Sequence, residues 1–247
     1  MYETFYDVIK RYPILDLIWN TSLVRIDLFR DEFPDVEVYA KTEMFNPGGS
    51  IKDRSVLRML TEAIVSGALS SGKTILDSTS GNAGVAYAMI GRVLGYPVEL
   101  VIPGNASMER KKRIKAHGAR IIFTDPSEGY DEALREVHRR AETDPDRYFF
   151  CDQYANEHNW QAHYDTTAVE ILEQTGGRVT KFMAGVGTGG TISGVGRRLK
   201  EYNPDIELHC VIPERLPGVD TNDLYFHRRL CLRGDRAFEG MDPMTTQ

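Results

Sequence analysis

The chain has 247 residues, 30 Lys+Arg against 36 Asp+Glu, and a formal net charge of -6. That length can bury one large core or two small ones, and the acidic balance argues against a general nucleic-acid surface. No stretch reads as a signal peptide and no apolar run is long enough to cross a bilayer, so a cytoplasmic enzyme with no membrane partner is expected. Cys151, Cys210 and Cys231 are far apart and odd in number, showing neither a disulfide framework nor metal-ligand spacing. His158 and His163 are poorly spaced for one helical face, so no metal site is expected there.

The first strong signal is Asn46-Pro47-Gly48-Gly49-Ser50-Ile51-Lys52-Asp53-Arg54. A proline and two glycines make a tight turn that delivers Lys52 to the start of a helix running on from Asp53. A lone lysine is ordinarily a solvated surface group; one used as a nucleophile must be oriented and have its pKa lowered. A strand over 74–77 then leads into Ser78-Thr79-Ser80-Gly81-Asn82-Ala83-Gly84 and a helix over 85–94 that Gly95 ends. Such a turn is commonly a simple N-cap, but at a strand-to-helix junction its backbone N–H groups also suit an anion such as a carboxylate.

Alternation continues with a strand over 99–102 and a helix over 107–117 ended by Gly118. The basic run Arg110-Lys111-Lys112-Arg113 on that helix reads as its solvated face. A strand over 120–123, a helix over 128–141, a strand over 148–150 and a helix over 160–174 follow. Between a strand over 181–184 and a helix over 192–200 lies Gly185-Val186-Gly187-Thr188-Gly189-Gly190-Thr191. Its glycines allow the backbone to wrap a phosphate, and its threonines add hydroxyl donors. The same loop also fits a dinucleotide pattern through Gly185, Gly187 and Gly190, although Asp205 and Glu207 precede or begin the next strand instead of ending it. No Gly-Lys-Ser/Thr follows, so it is not a P-loop. A strand over 206–212, a helix over 224–233 and a loose tail over 240–247 complete the reading. Strands alternating with helices argue for an α/β fold with mainly parallel sheets, doubly wound, its phosphate loops at the carboxyl ends of strands.

Taken together, the lysine, asparagine and glycine motifs resemble the tryptophan-synthase-type (fold type II) pyridoxal-phosphate enzymes, and among them the cysteine synthase/cystathionine β-synthase family. Asn20-Thr21-Ser22-Leu23-Val24-Arg25 is similar to the family's Asn-Thr-Pro-Leu-Val start, with Ser22 replacing proline. Gln153-Tyr154, Asn156, Asn159, His163-Tyr164 and Thr166-Thr167 add to the match, which covers roughly residues 8 to 212. The resemblance implies two α/β domains. A smaller one over 43–157 would carry the lysine and asparagine turns, and a larger one over 1–42 and 158–247 would carry the glycine loop.

The resemblance also implies roles. Lys52 would bind pyridoxal 5'-phosphate as a Schiff base and later move the α-proton. Asn82 would hydrogen-bond the cofactor's 3'-oxygen, while Gly187, Thr188, Gly189, Gly190 and Thr191 would hold its 5'-phosphate. Thr79, Ser80, Asn82, Ala83 and Gln153 would receive the substrate carboxylate, with Ala83 standing where the family has a second threonine. The implied reaction is β-replacement, forming cysteine from an activated serine such as O-acetylserine and sulfide or a thiol, in a homodimer. Cystathionine β-synthase activity and a non-catalytic relative that binds cofactor or amino acid are the alternatives. Arg215 could favour a phosphorylated leaving group, although a lone arginine there reads equally as surface. The family's late serine, which contacts the pyridine nitrogen, has no counterpart after Val211-Ile212-Pro213-Glu214, so the larger domain is expected to be shortened.

Overall fold

The computed structural model describes residues 4–28, 30–79 and 81–211. The chain divides into two compact units, Met1–Asn159 and Trp160–Gln247. The first unit opens with helix α1 (Phe5–Lys10), whose N-cap Thr4 exchanges hydrogen bonds with Asp7 in a capping box. Strands β1 (Leu23–Ile26) and β2 (Val38–Lys41) pair antiparallel. Neither this capping box nor the short β1–β2 pair, partly exposed along its length, was read from the sequence.

After helix α2 (Lys52–Val65) comes a four-stranded parallel sheet built from β3 (Thr74–Ser78), β4 (Val98–Pro103), β5 (Arg120–Thr124) and β6 (Tyr148–Phe150). Helices α3 (Asn82–Leu94), α4 (Met108–Ala116) and α5 (Gly129–Thr143) connect the strands. Every residue of β3 and β4 is buried, as expected for central strands covered on both faces. Alternate side chains serve opposite faces. Ile75, Val98, Leu100 and Ile102 join the core formed with α2, α3 and α4, whereas Leu76 and Val101 pack with Ala133 and Val137 of α5. The strand order is β5-β4-β3-β6. Its direction reverses at β3, so the crevice outside the carboxyl ends of β3 and β6 is the switch point where open α/β sheets place ligands.

In the second unit, β7 (Lys181–Gly185) and β8 (Glu207–Val211) pair in parallel through helix α8 (Gly190–Tyr202). Val195, Leu199 and Ile206 pack there with Ala168 and Ile171 of helix α7 (Ala168–Thr175). The single helix expected over 160–174 is instead interrupted. Helix α6 (His158–Ala162) passes into a π-helical turn, His163–Thr167, before α7. Gly194 explains how α8 fits this turn: a Cβ there would lie 2.9 Å from both the His163 Cβ and the Tyr164 nitrogen. An inserted residue of this kind is invisible to a periodicity argument, and π-bulges recur at functional sites. The helix expected over 224–233, Cys231, Arg215 and the tail lie outside the described residues.

Candidate active site

The lysine turn is fixed from several directions. Gly49 takes φ +84°, and its N–H donates to the Asn46 carbonyl at 2.7 Å. Buried Asn46 donates through Nδ2 to Glu43 Oε2 at 2.7 Å and to the Ser50 carbonyl at 3.2 Å. Ser50 Oγ accepts from the Lys52 backbone N–H at 3.2 Å, where α2 begins. The Gly48 N–H donates to Asp53 Oδ2 at 2.5 Å, and its carbonyl accepts from Arg113 Nη2 of α4 at 2.9 Å. Thus one member of the basic run on α4 supports the lysine turn, while Arg110 and Lys112 remain solvated.

Burial pushes the Lys52 amine below the ordinary lysine range, which raises its neutral, nucleophilic fraction. Burial also pushes Asp53 up to about 7, opposed by the Gly48 hydrogen bond. One residue on, fully buried Arg54 grips Glu43 with Nε–Oε2 and Nη2–Oε1 both at 2.8 Å. Thr21 Oγ1 donates to Glu43 Oε1 at 2.7 Å, tying the start of β1 to the same carboxylate. Glu43 and Arg54 had no assigned role in the sequence reading, although Arg54 lies inside the lysine motif.

The asparagine turn sits at the switch point. Thr79 is buried, its N–H donating to Val101 O at 3.1 Å and its Oγ1 accepting from the Gly81 N–H at 3.1 Å. Ser80 lies outside the described residues. Gly84 is needed for close approach, since a Cβ there would meet Thr79 Cγ2 at 2.6 Å and Ile114 Cδ1 at 2.9 Å. Arg113 and Ile114, neighbours on α4, therefore touch the lysine turn and the asparagine turn respectively. Asn82 is exposed at the head of α3, Ala83 is buried behind it, and no side-chain hydrogen bond caps that helix. Across the crevice, buried Gln153 donates through Nε2 to the Ser78 carbonyl at 2.9 Å, and Asn159 Nδ2 donates to the Gln153 carbonyl at 2.6 Å. Thr79, Asn82, Ala83 and Gln153 are thus drawn together at one end of the sheet.

In the second unit, Gly187, Thr188 and Gly189 lead from β7 into α8, which starts at Gly190 and Thr191. Gly189 takes φ +82° as the N-cap and supplies no side chain to cap the helix. A Cβ on Gly187 would meet nothing within 4 Å. Thr191 Oγ1 lies 3.4 Å from His163 Nε2, and His163 Nδ1 lies 3.0 Å from Thr167 Oγ1. His163 and Thr167 belong to the π-helical turn, so that turn braces the glycine loop.

The donors within each unit suit parts of pyridoxal phosphate: in the first, a lysine whose amine is easily neutralised and the head of α3, and in the second the head of α8, each helix of 13 residues having a glycine N-cap without a side chain. A family model for pyridoxal-phosphate dependent enzymes matches residues 14–226. The chain belongs to that family, a fold type II enzyme whose cofactor is pyridoxal 5'-phosphate. Its kinship lies with cysteine synthases. It is 52% identical to a cysteine synthase of Aquifex aeolicus, over 93% of this chain and 79% of that protein. A cystathionine beta-synthase of Apis mellifera is 41% identical over 84% of this chain, which spans only 42% of that protein. The solved cysteine synthase of Entamoeba histolytica superposes with TM-score 0.76 at 38% identity, over 81% of this chain and 60% of that one. Family membership removes the dinucleotide reading of Gly185, Gly187 and Gly190. Consistently, Glu207 opens β8 and pairs with Lys181 at 2.9 Å.

Proposed function

We propose that the protein forms L-cysteine by pyridoxal-phosphate-dependent β-replacement, from an O-acetylserine-like activated serine and sulfide. The observation that carries this reading is Lys52, held at the first turn of α2 with its amine pushed towards neutrality by burial. Gly187, Thr188, Gly189, Gly190 and Thr191 would hold the cofactor phosphate at the head of α8, and Asn82 the ring oxygen. The N–H groups opening α3, at Asn82 and Ala83, would receive the substrate carboxylate with Thr79, Ser80 and Gln153 around them. When bound, the cofactor supplies an electron sink for the negative charge left at the substrate α-carbon. Lys52 Nζ takes the α-proton as the β-carbon loses its acetate, and returns a proton to the α-carbon as hydrosulfide forms the new C–S bond. Fixing carboxylate and phosphate is mainly an orientation effect.

A larger thiol in place of sulfide would make the reaction that of a cystathionine β-synthase, a reading favoured by the Apis relative. Cysteine formation from O-acetylserine and sulfide, absent in Lys52→Ala, tests the proposal. Cofactor binding without turnover would support the non-catalytic alternative. The division into 43–157 and into 1–42 with 158–247 is part of the same proposal and differs from the compact units, in which residues 1–42 go with the first. A cytoplasmic homodimer is part of the same proposal. Free thiols at Cys151 and Cys210 fit a reducing compartment, and among the described residues no helix is long and apolar enough to cross a membrane.

A further inference from the structure

Asp77 is the last-but-one residue of β3, 1% exposed, beneath the switch-point crevice. Its Oδ1 accepts from the Ser78 N–H at 2.7 Å, at the root of the asparagine turn. Its Oδ2 accepts from the Tyr87 hydroxyl of α3 at 2.5 Å and from the Gln153 N–H at 3.3 Å, after β6. We propose that Asp77 is a positioning residue for the amino-acid substrate, its carboxylate holding the turn after β3 and the turn after β6 at one spacing across the crevice. This rests on the reading of that crevice as the substrate site.

A carboxylate with two acceptor oxygens can take all three hydrogen bonds at once. A carboxylic acid cannot: a proton on Oδ2 is donated to the Tyr87 oxygen, which must turn its own proton away, and it leaves Oδ2 a poorer acceptor for the Gln153 N–H. The Gln153 N–H makes the longest of the three contacts and is the first released. Gln153 also donates its side chain to Ser78 O, so loosening its backbone loosens both turns. The groups facing Asp77 are Tyr87 from α3, Cys151, Asp152 and Tyr154 beyond β6, and Tyr130 from α5. Tyr87 is also bonded to the Cys151 thiol. None of these groups brings a positive charge to offset burial of the carboxylate. Burial accordingly pushes Asp77 up to about 7, which puts the change of anchoring near neutrality.

The test uses the holoenzyme and two variants, Asp77→Asn and Tyr87→Phe. It reads backbone amide exchange of the Ser78 and Gln153 segments, and KM for O-acetylserine against kcat, as a function of pH. In the wild type, KM is expected to rise as pH falls through neutrality, with kcat changing less. Asp77→Asn keeps the shape but turns one acceptor into a donor. It should retain cofactor absorbance, raise KM about 10-fold at every pH, abolish the inflection and speed exchange at Gln153. Tyr87→Phe removes a donor that favours the ionised form, so it should move the inflection to higher pH. A purely structural role for Asp77 would produce neither the loss nor the displacement of the inflection. Wild-type KM and unaltered exchange in Asp77→Asn overturn the proposal. If the wild type does not turn over O-acetylserine, the reading of the site fails separately, and unchanged Gln153 exchange still decides against Asp77.

Discussion

The Glu43–Arg54 pair should behave as a single coupled unit beneath the Lys52 turn. The Arg54 side chain has no exposed surface and that of Glu43 only 12%, and the two meet in a bidentate contact. Replacing Glu43 by Leu leaves the guanidinium buried without its carboxylate, and strips an acceptor from Thr21 and Asn46. Breaking a buried pair from one side costs about 3–5 kcal/mol. For a chain of this size, that corresponds to a melting temperature lower by roughly 6–20 °C. Arg54→Met should cost less, roughly 1–3 kcal/mol, because Glu43 keeps its bonds from Thr21 and Asn46. In the double variant neither charge remains, so its loss should fall below that of Glu43→Leu alone. Chemical denaturation of the four proteins gives the interaction energy directly. Losses that simply add, within about 0.5 kcal/mol, would refute the reasoning. The result bears on catalysis, because Arg54 lies two residues beyond Lys52 on α2.

A second prediction concerns pH. Asp53 holds its proton up to about 7 when folded, against an ordinary carboxylate value of 3.8, so stability should fall as pH rises between those values. Asp53→Asn should flatten that slope, which is worth up to about 4 kcal/mol; melts of the wild type and variant against pH provide the check. Gly48→Ala puts a Cβ 2.7 Å from Asp53 Oδ2. Displacing that carboxylate should cost about 1–3 kcal/mol and weaken cofactor retention, read by denaturation and by fluorescence titration with pyridoxal phosphate. Gly189→Ala, at φ +82°, should cost about 1–2 kcal/mol and reduce affinity for the cofactor phosphate. Equal affinity in that variant would remove Gly189 from the phosphate site.

The three loops were legible because each carries residues that are unusual for a plain turn: Lys52 behind two glycines, Asn82 after Thr79, and four glycines within six residues over 185–190. The parallel sheet followed from strands alternating with helices, whereas the full burial of β3 and β4 did not follow from composition, because it takes in Thr74, Asp77, Ser78 and Glu99. What escaped was the support between distant residues. No local pattern says that Arg113 will reach Gly48, or that Glu43 will accept from Thr21, Asn46 and Arg54. Asp77 read only as the end of a strand, because its partners Tyr87 and Gln153 lie 10 and 76 positions away. The π-helical turn at His163 was missed because one additional residue leaves the apolar spacing almost unchanged. Gly194 was its one trace, a glycine inside a helix that only close packing explains.

The central claim is that Lys52 binds the cofactor and carries the chemistry. Its most direct test is borohydride reduction of the purified protein with pyridoxal phosphate, followed by peptide mass spectrometry, alongside visible spectra before and after O-acetylserine. The account predicts a phosphopyridoxyl adduct on the peptide containing Lys52, an absorption band that O-acetylserine shifts and sulfide restores, and neither signal in Lys52→Ala. An adduct on another lysine, or a band that survives in Lys52→Ala, would contradict it.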